Sequence, residues 1–133
     1  MQILTSMTWR NLNAPDDVVD EYKVSLVYSP SDPCVVTATI AARNTAVWEL
    51  SRDLLAAGML APTGTGDVRV WPWPLFGEVE IMLTSPSGRA DFACSLRELD
   101  VFLTATYALV PADAEYADTD VDAALLRWLE EAA

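Results

Sequence analysis

Between Val47 and Pro74 the chain reads VWELSRDLLAAGMLAPTGTGDVRVWPWP, and its hydrophobic period changes twice along the way. Leu50 ends a strand-like run, and Ser51 stands where a hydroxyl can cap a short helix carrying Leu54 and Leu55 on one side. Asp53 lies in the first turn, where a negative charge meets the positive end of the helix dipole. Gly58 is placed to adopt the left-handed conformation that stops a helix, with Met59 and Leu60 folding back over its last turn. Pro62, Gly64 and Gly66 make a turn-rich loop, after which Asp67 to Trp71 alternates polar and apolar residues as a half-buried strand does. A strand, a short helix, a glycine-rich loop and a second strand in one stretch require an α+β arrangement with the helix packed on a sheet.

The flanking sequence extends that sheet. Ile3, Thr5, Met7 and Trp9 alternate within a strand over residues 3 to 12, and Tyr22, Val24, Leu26 and Tyr28 share one face of a second. Cys34 to Ala42 is rich in β-branched residues, and Ala46 to Leu50 follows a short polar turn. Trp71-Pro72-Trp73-Pro74 is expected to interrupt the strand before it, since proline cannot donate to a ladder. Glu78 to Thr84 then alternates with Val79, Ile81 and Leu83 inward and Glu78 and Glu80 outward, and Ser85-Pro86-Ser87-Gly88 turns the chain into Arg89 to Cys94. Short turns between closely spaced strands favour antiparallel hairpins. Ser95-Leu96-Arg97-Glu98 fits a capping box that opens a helix with Leu96, Leu99, Phe102, Leu103 and Val110 at helical spacing, closed by Pro111. A last helix is expected from about Asp120, with Val121, Leu125, Trp128 and Leu129 on one stripe. The residues therefore predict one domain over 1–133, built from about seven antiparallel strands, a short central helix and two C-terminal helices.

Composition narrows the chemistry. There is no histidine, which removes imidazole acid–base catalysis, Ser-His-Asp and Cys-His nucleophiles, and every His-ligated metal site. Cys34 and Cys94 are isolated, so they read as buried, reduced thiols rather than a zinc site or a redox pair. No metal and no cofactor is expected. The loop Pro62 to Asp67 resembles a phosphate cradle only in its glycines: it leads into a strand, not a helix, and no lysine is near. No run is apolar for long enough to cross a membrane, and the N-terminal residues lack a secretory pattern, so a cytoplasmic location is expected. The formal net charge of −12, with Lys23 the only lysine, opposes binding to a phosphate backbone. The same charge suits a partner with a basic patch.

Ser51 to Gly58, followed by Pro62-Thr63-Gly64-Thr65-Gly66-Asp67-Val68-Arg69-Val70-Trp71-Pro72, resembles the signature segment of the SsgA-like proteins, an actinobacterial family that controls sporulation-linked cell division. Tyr28, Ser29, Asp32 and Pro33 fit a second family pattern, with Cys34 where an aromatic residue is usual, and the Ser85-Pro86-x-Gly88 turn extends the likeness. The resemblance implies a compact sheet similar to the Whirly fold of single-strand nucleic-acid binders, assembled as a homotrimer. It implies a non-enzymatic adaptor that helps place division septa, acting with related SsgA-like proteins and on the tubulin-like division protein FtsZ at the septum. The alternative is a single-stranded nucleic-acid-binding module on the same sheet, which the acidic charge opposes.

Five residues are carried forward as a candidate partner-binding set. Two indoles in a proline-stiffened loop lose little entropy on binding, and tryptophan is prominent among interface anchors. For Trp73 the sequence leaves two placements open, a projecting anchor or a lid on the core. For Trp71 burial is expected, provided a bulge shifts the phase set by Val68 and Val70. Arg52, Asp67 and Arg69, with Asp53, are expected to form exposed pairs across the central unit.

Overall fold

The computed structural model describes residues 1–114. Seven strands form one antiparallel sheet: β1 (Ile3–Asn11), β2 (Glu21–Tyr28), β3 (Val35–Ala41), β4 (Ala46–Ser51), β5 (Val68–Trp73), β6 (Glu78–Ser85) and β7 (Gly88–Ser95). Their order across the sheet is β4-β3-β2-β1-β7-β6-β5. The pairing of β1 with β7 spans only Arg10↔Ala93 and Asn11↔Phe92, so the sheet is two wings joined at a narrow seam. Aromatic rings pack that seam: Trp9 and Phe92 lie 5.5 Å apart between centroids, and Tyr22 meets Phe92 edge-on at 6.0 Å. Helix α1 (Arg52–Gly58) follows β4 directly, and α2 (Leu96–Leu109) packs against β1, β6 and β7. The alternation read from sequence sets the inner face. Met7, Trp9, Val24, Leu26, Tyr28, Val79, Ile81 and Leu83 are buried, with Leu99, Phe102 and Leu103 of α2 closing the same cluster.

Both helix starts follow their caps. The Ser51 hydroxyl accepts from the Leu54 N–H at 3.2 Å, and the Ser95 hydroxyl accepts from the Glu98 N–H at 3.1 Å. The stop at Gly58 has a different cause from the one expected. Gly58 is the last residue of α1 and its φ is not positive. What requires glycine is contact, because a Cβ there would lie 2.2 Å from Val70 Cγ1. Absence of a side chain lets α1 settle directly on β5.

Strand β5 also departs from expectation. It runs through Pro72 to Trp73 rather than breaking at Trp71. The reason is position: β5 is the last strand of the sheet, and an edge strand tolerates a residue with no N–H. There is no phase shift either. Val70 points inward, so Trp71 and Trp73 stand on the outer face and Trp71 is half-buried rather than buried. Cys94 is buried as expected, whereas Cys34 is half-buried. The helix expected from Asp120 lies outside the described residues.

Arg52 is the largest correction. Expected at the surface, its side chain has no exposed area. Its Nη1 donates to the carbonyls of Thr106 at 3.1 Å and Val110 at 2.7 Å, the last turn of α2, where a cation meets the negative end of the helix dipole. The guanidinium lies 3.9 Å from the centroid of Tyr107 and 5.0 Å from that of Tyr28. Arg52→Ala is expected to cost about 3 kcal/mol or more, as for loss of a buried hydrogen-bonded charge. Arg52→Lys should recover only part of this, because an ammonium cannot reproduce the planar stack and fork. Urea unfolding of the two variants checks the order.

Candidate functional site

The outer face of β5 and the hairpin that follows it carry the densest exposed aromatic surface among the described residues. Trp73 ends β5, pairs with Glu78 across the hairpin, and is 45% exposed. Pro74–Phe76 makes a single 3-10 turn, and Gly77 at φ 62° closes it by donating its N–H to the Pro74 carbonyl at 3.1 Å. This turn leaves Leu75 96% and Phe76 70% exposed. The rings of Trp73 and Phe76 meet at 6.3 Å between centroids with a 53° tilt, within the range favoured by aromatic pairs. Proline at 72 and 74 fixes the backbone on both sides of Trp73, so the projection is rigid.

Beneath the aromatic pair lies an open recess of about 210 Å³, lined by Arg10, Leu12, Trp73, Phe76, Glu78, Glu80 and Ala93. Two carboxylates on β6 form its floor and differ in state. Glu78 accepts from Arg10 Nη2 at 2.9 Å, a half-exposed pair worth about 0–1 kcal/mol. Glu80 accepts only a longer bond from Trp73 Nε1, 3.3 Å, and makes no ion pair among the described residues. Burial pushes the Glu80 carboxyl above its ordinary value; the indole bond opposes this, Asp91 adds to it and Arg89 offsets it.

Of the five candidates from sequence, Trp71, Trp73 and Arg69 share the outer face of β5, in alternate positions along the strand. Asp67 sits just before the strand, exposed, its backbone carbonyl accepting the Thr84 N–H at 2.8 Å. Arg52 does not join them. It lies in the core, out of a partner's reach, and Asp53 beside it accepts from the Tyr107 hydroxyl at 2.6 Å. Sequence reasoning passed over Leu75 and Phe76, and treated Glu78 and Glu80 only as a wet strand face. The signal for the first pair was available: Trp-Pro-Trp-Pro-Leu-Phe-Gly packs four large apolar side chains into a hairpin too short to bury them.

Elsewhere the chemistry is quiet. The Cys94 thiol is pushed up to about 12 by burial, with Glu78 and Glu98 adding to the shift, so it is not a thiolate at neutral pH. No group of three or more metal-ligating side chains occurs among the described residues. None of the described helices is long and apolar enough to cross a membrane.

A family model described as "Streptomyces sporulation and cell division protein, SsgA" matches residues 22–115. The chain belongs to the SsgA family. Sporulation-specific cell division protein SsgB of Streptomyces coelicolor is 44% identical over 110 residues, covering 80% of each chain. SsgB of Salinispora tropica is 40% identical over 124 residues, covering 89% of this chain and 87% of its own. A solved SsgB structure, described under mutations that correlate with longitudinal cell division during sporulation of S. coelicolor, superposes with a TM-score of 0.81 at 37% identity. It covers 88% of this chain and 94% of its own. The crystal structure of an SsgA-like sporulation-specific cell division protein from Thermobifida fusca gives 0.80 at 34% identity, covering 96% and 95%. The role of this SsgA-family chain is accordingly in sporulation-specific cell division.

Within this SsgA-family fold the strain at Glu80 gives a signed expectation. Its carboxyl is harder to ionise folded than unfolded, so its contribution to stability is greatest below the unfolded value, near 4.5, and is lost as pH rises through the folded one. Glu80→Gln keeps an oxygen for the Trp73 indole and removes the charge. The variant is expected to melt above the parent at pH 7, with the gap closing as pH falls below 4.5. Paired thermal melts across pH read the sign directly.

Proposed function

We propose that this chain is a non-enzymatic adaptor of sporulation-specific division, acting in the cytoplasm at the septum and helping to position the FtsZ ring through protein contacts. The observation that carries the reading is the rigid, exposed Trp73–Leu75–Phe76 projection on a protein of this family. Solvent-exposed aromatic side chains held by proline are poor material for a core and good material for an anchor. Trp71 and Arg69 continue the surface along β5, and Asp67 borders it.

We further infer a homotrimer with contacts to related SsgA-like proteins. Exposed apolar residues beyond the hairpin support self-association, among them Leu4, Val47 and Leu60 at 66%, 62% and 85% exposure. Sedimentation velocity at micromolar concentration is expected to give the trimer mass, and a monomer there would contradict this.

A second reading, single-stranded nucleic-acid binding, draws on the same outer face, where Arg69, Trp71 and Trp73 stand at alternate positions along β5. Glu78 and Glu80 on that face and a net charge of −12 oppose it. Fluorescence titration with a single-stranded oligonucleotide at moderate salt is expected to show no binding. Tight binding with a steep salt slope would replace the adaptor reading.

The adaptor reading is tested most directly at Trp73. Trp73→Ala is expected to weaken capture of division proteins from sporulating cells by about 2 kcal/mol, roughly 30-fold. It should lower folding stability by about 1 kcal/mol or less. A stability loss of roughly 3 kcal/mol or more would mean the ring closes the core and is no anchor.

A further inference from the structure

We propose that the recess under the Trp73–Phe76 pair receives an arginine side chain from a partner protein. The proposal rests on the adaptor reading and names the chemistry of what that surface binds. A guanidinium is recognised by two things together, an aromatic face to stack on and a carboxylate to accept its fork. The recess offers both: two exposed, mutually packed rings on its wall, and Glu80 on its floor.

The two carboxylates of the floor show why the free position is at Glu80. Arg10 enters the recess from β1 and occupies Glu78 at 2.9 Å, so the chain itself supplies one guanidinium to this floor. Glu80 has no such partner among the described residues; a single neutral N–H reaches it, at 3.3 Å. Partial burial makes that charge costly in isolation, and a cation seated beside it would reverse the effect. The net charge of −12 draws a basic segment towards the surface. The same two carboxylates repel a phosphate, which sets this surface against nucleic acid. Arginine is favoured over lysine because a planar guanidinium stacks on the indole while its N–H groups reach the carboxylate.

The test uses the full chain with 15N-labelled tryptophan, titrated with the capped peptide Gly-Arg-Gly-Arg-Gly and with its citrulline counterpart, which keeps the shape and loses the charge. The Trp73 indole cross-peak, identified by its loss in Trp73→Phe, is expected to shift saturably with the arginine peptide. Binding should be at least about tenfold weaker with the citrulline peptide, and should weaken about tenfold in Glu80→Gln. Phe76→Ala should weaken it several-fold. A thermal melt of Glu80→Gln at the titration pH, expected at or above the parent's, separates lost binding from lost folding. Equal response to the two peptides, or undiminished binding by Glu80→Gln, overturns the proposal. So does a Trp73 shift that follows protein concentration and ignores peptide, which would assign the recess to a second copy of the chain. Failure here with Trp73→Ala still losing its division partners removes the arginine and leaves the adaptor reading in place. An arginine response with no division partner captured does the reverse.

Discussion

A single buried cation holds the layers of this protein together. Arg52 begins α1, reaches across to the last turn of α2, and is flanked by Tyr28 of β2 and Tyr107 of α2. Burying a guanidinium is costly unless its donors find acceptors, and the acceptors here are the carbonyls that a helix leaves unbonded at its C-terminal end. Each feature thus answers a need of the other. The helix end gains donors and a favourable charge, and the arginine gains acceptors and two aromatic faces. Tyr107 is further held through its hydroxyl bond to Asp53, and Tyr28 through its own to the Pro33 carbonyl, so the clamp extends to the turn between β2 and β3.

With α1 fixed by Arg52, its other end fixes β5. Gly58 lies against Val70 without a side chain between them, which brings the edge strand tight under the helix. Any Cβ there must push either α1 or β5 away, and overpacking of this kind costs about 1–3 kcal/mol. Through this chain of contacts the position of Trp73 on β5 depends on a charge buried on the opposite side of the sheet. A binding surface of the kind proposed above gains affinity on a rigid strand relative to a free loop, because less ordering is needed on binding.

Much of this architecture was legible in the residues. Period-two alternation located β1, β2, β5 and β6, β-branched content located β3, and the turns before them located β4 and β7; the inner faces of β1, β2 and β6 match the residues that alternation assigned. Ser51 and Ser95 announced both described α-helices, since a hydroxyl before an amphipathic run has a local job that needs no tertiary context. What failed was whatever depended on neighbours distant in sequence. Arg52 reads as a surface charge until Thr106 and Val110 are seen beside it, more than fifty residues on. Gly58 reads as a left-handed cap until Val70 is in place. Pro72 reads as a strand breaker until the strand is known to be an edge. In the candidate site, the proline-stiffened indoles drew attention to Trp73, and of the two placements the sequence left open the structure shows the exposed one. Glu80 was not, because nothing local distinguishes it from Glu78; the difference is Arg10, which comes from another strand.

The edge itself limits how a partner can be bound. Exposed strand edges invite another strand to add, and proteins that avoid this block the row of free N–H and C=O groups. On β5 the block is built in. Val70 exchanges both its backbone bonds with Thr63, N–H to carbonyl at 2.9 Å and carbonyl to N–H at 2.8 Å. The next residue facing the same way along the strand is Pro72, which has no N–H to offer. Strand addition at β5 therefore stops after one bridge. A partner meeting this end of the sheet must engage the face and the hairpin, by side chains. On the binding surface proposed above, recognition turns on side-chain chemistry, on the rings of Trp73 and Phe76 and the charge of Glu80, and not on backbone hydrogen bonds that any extended peptide could supply.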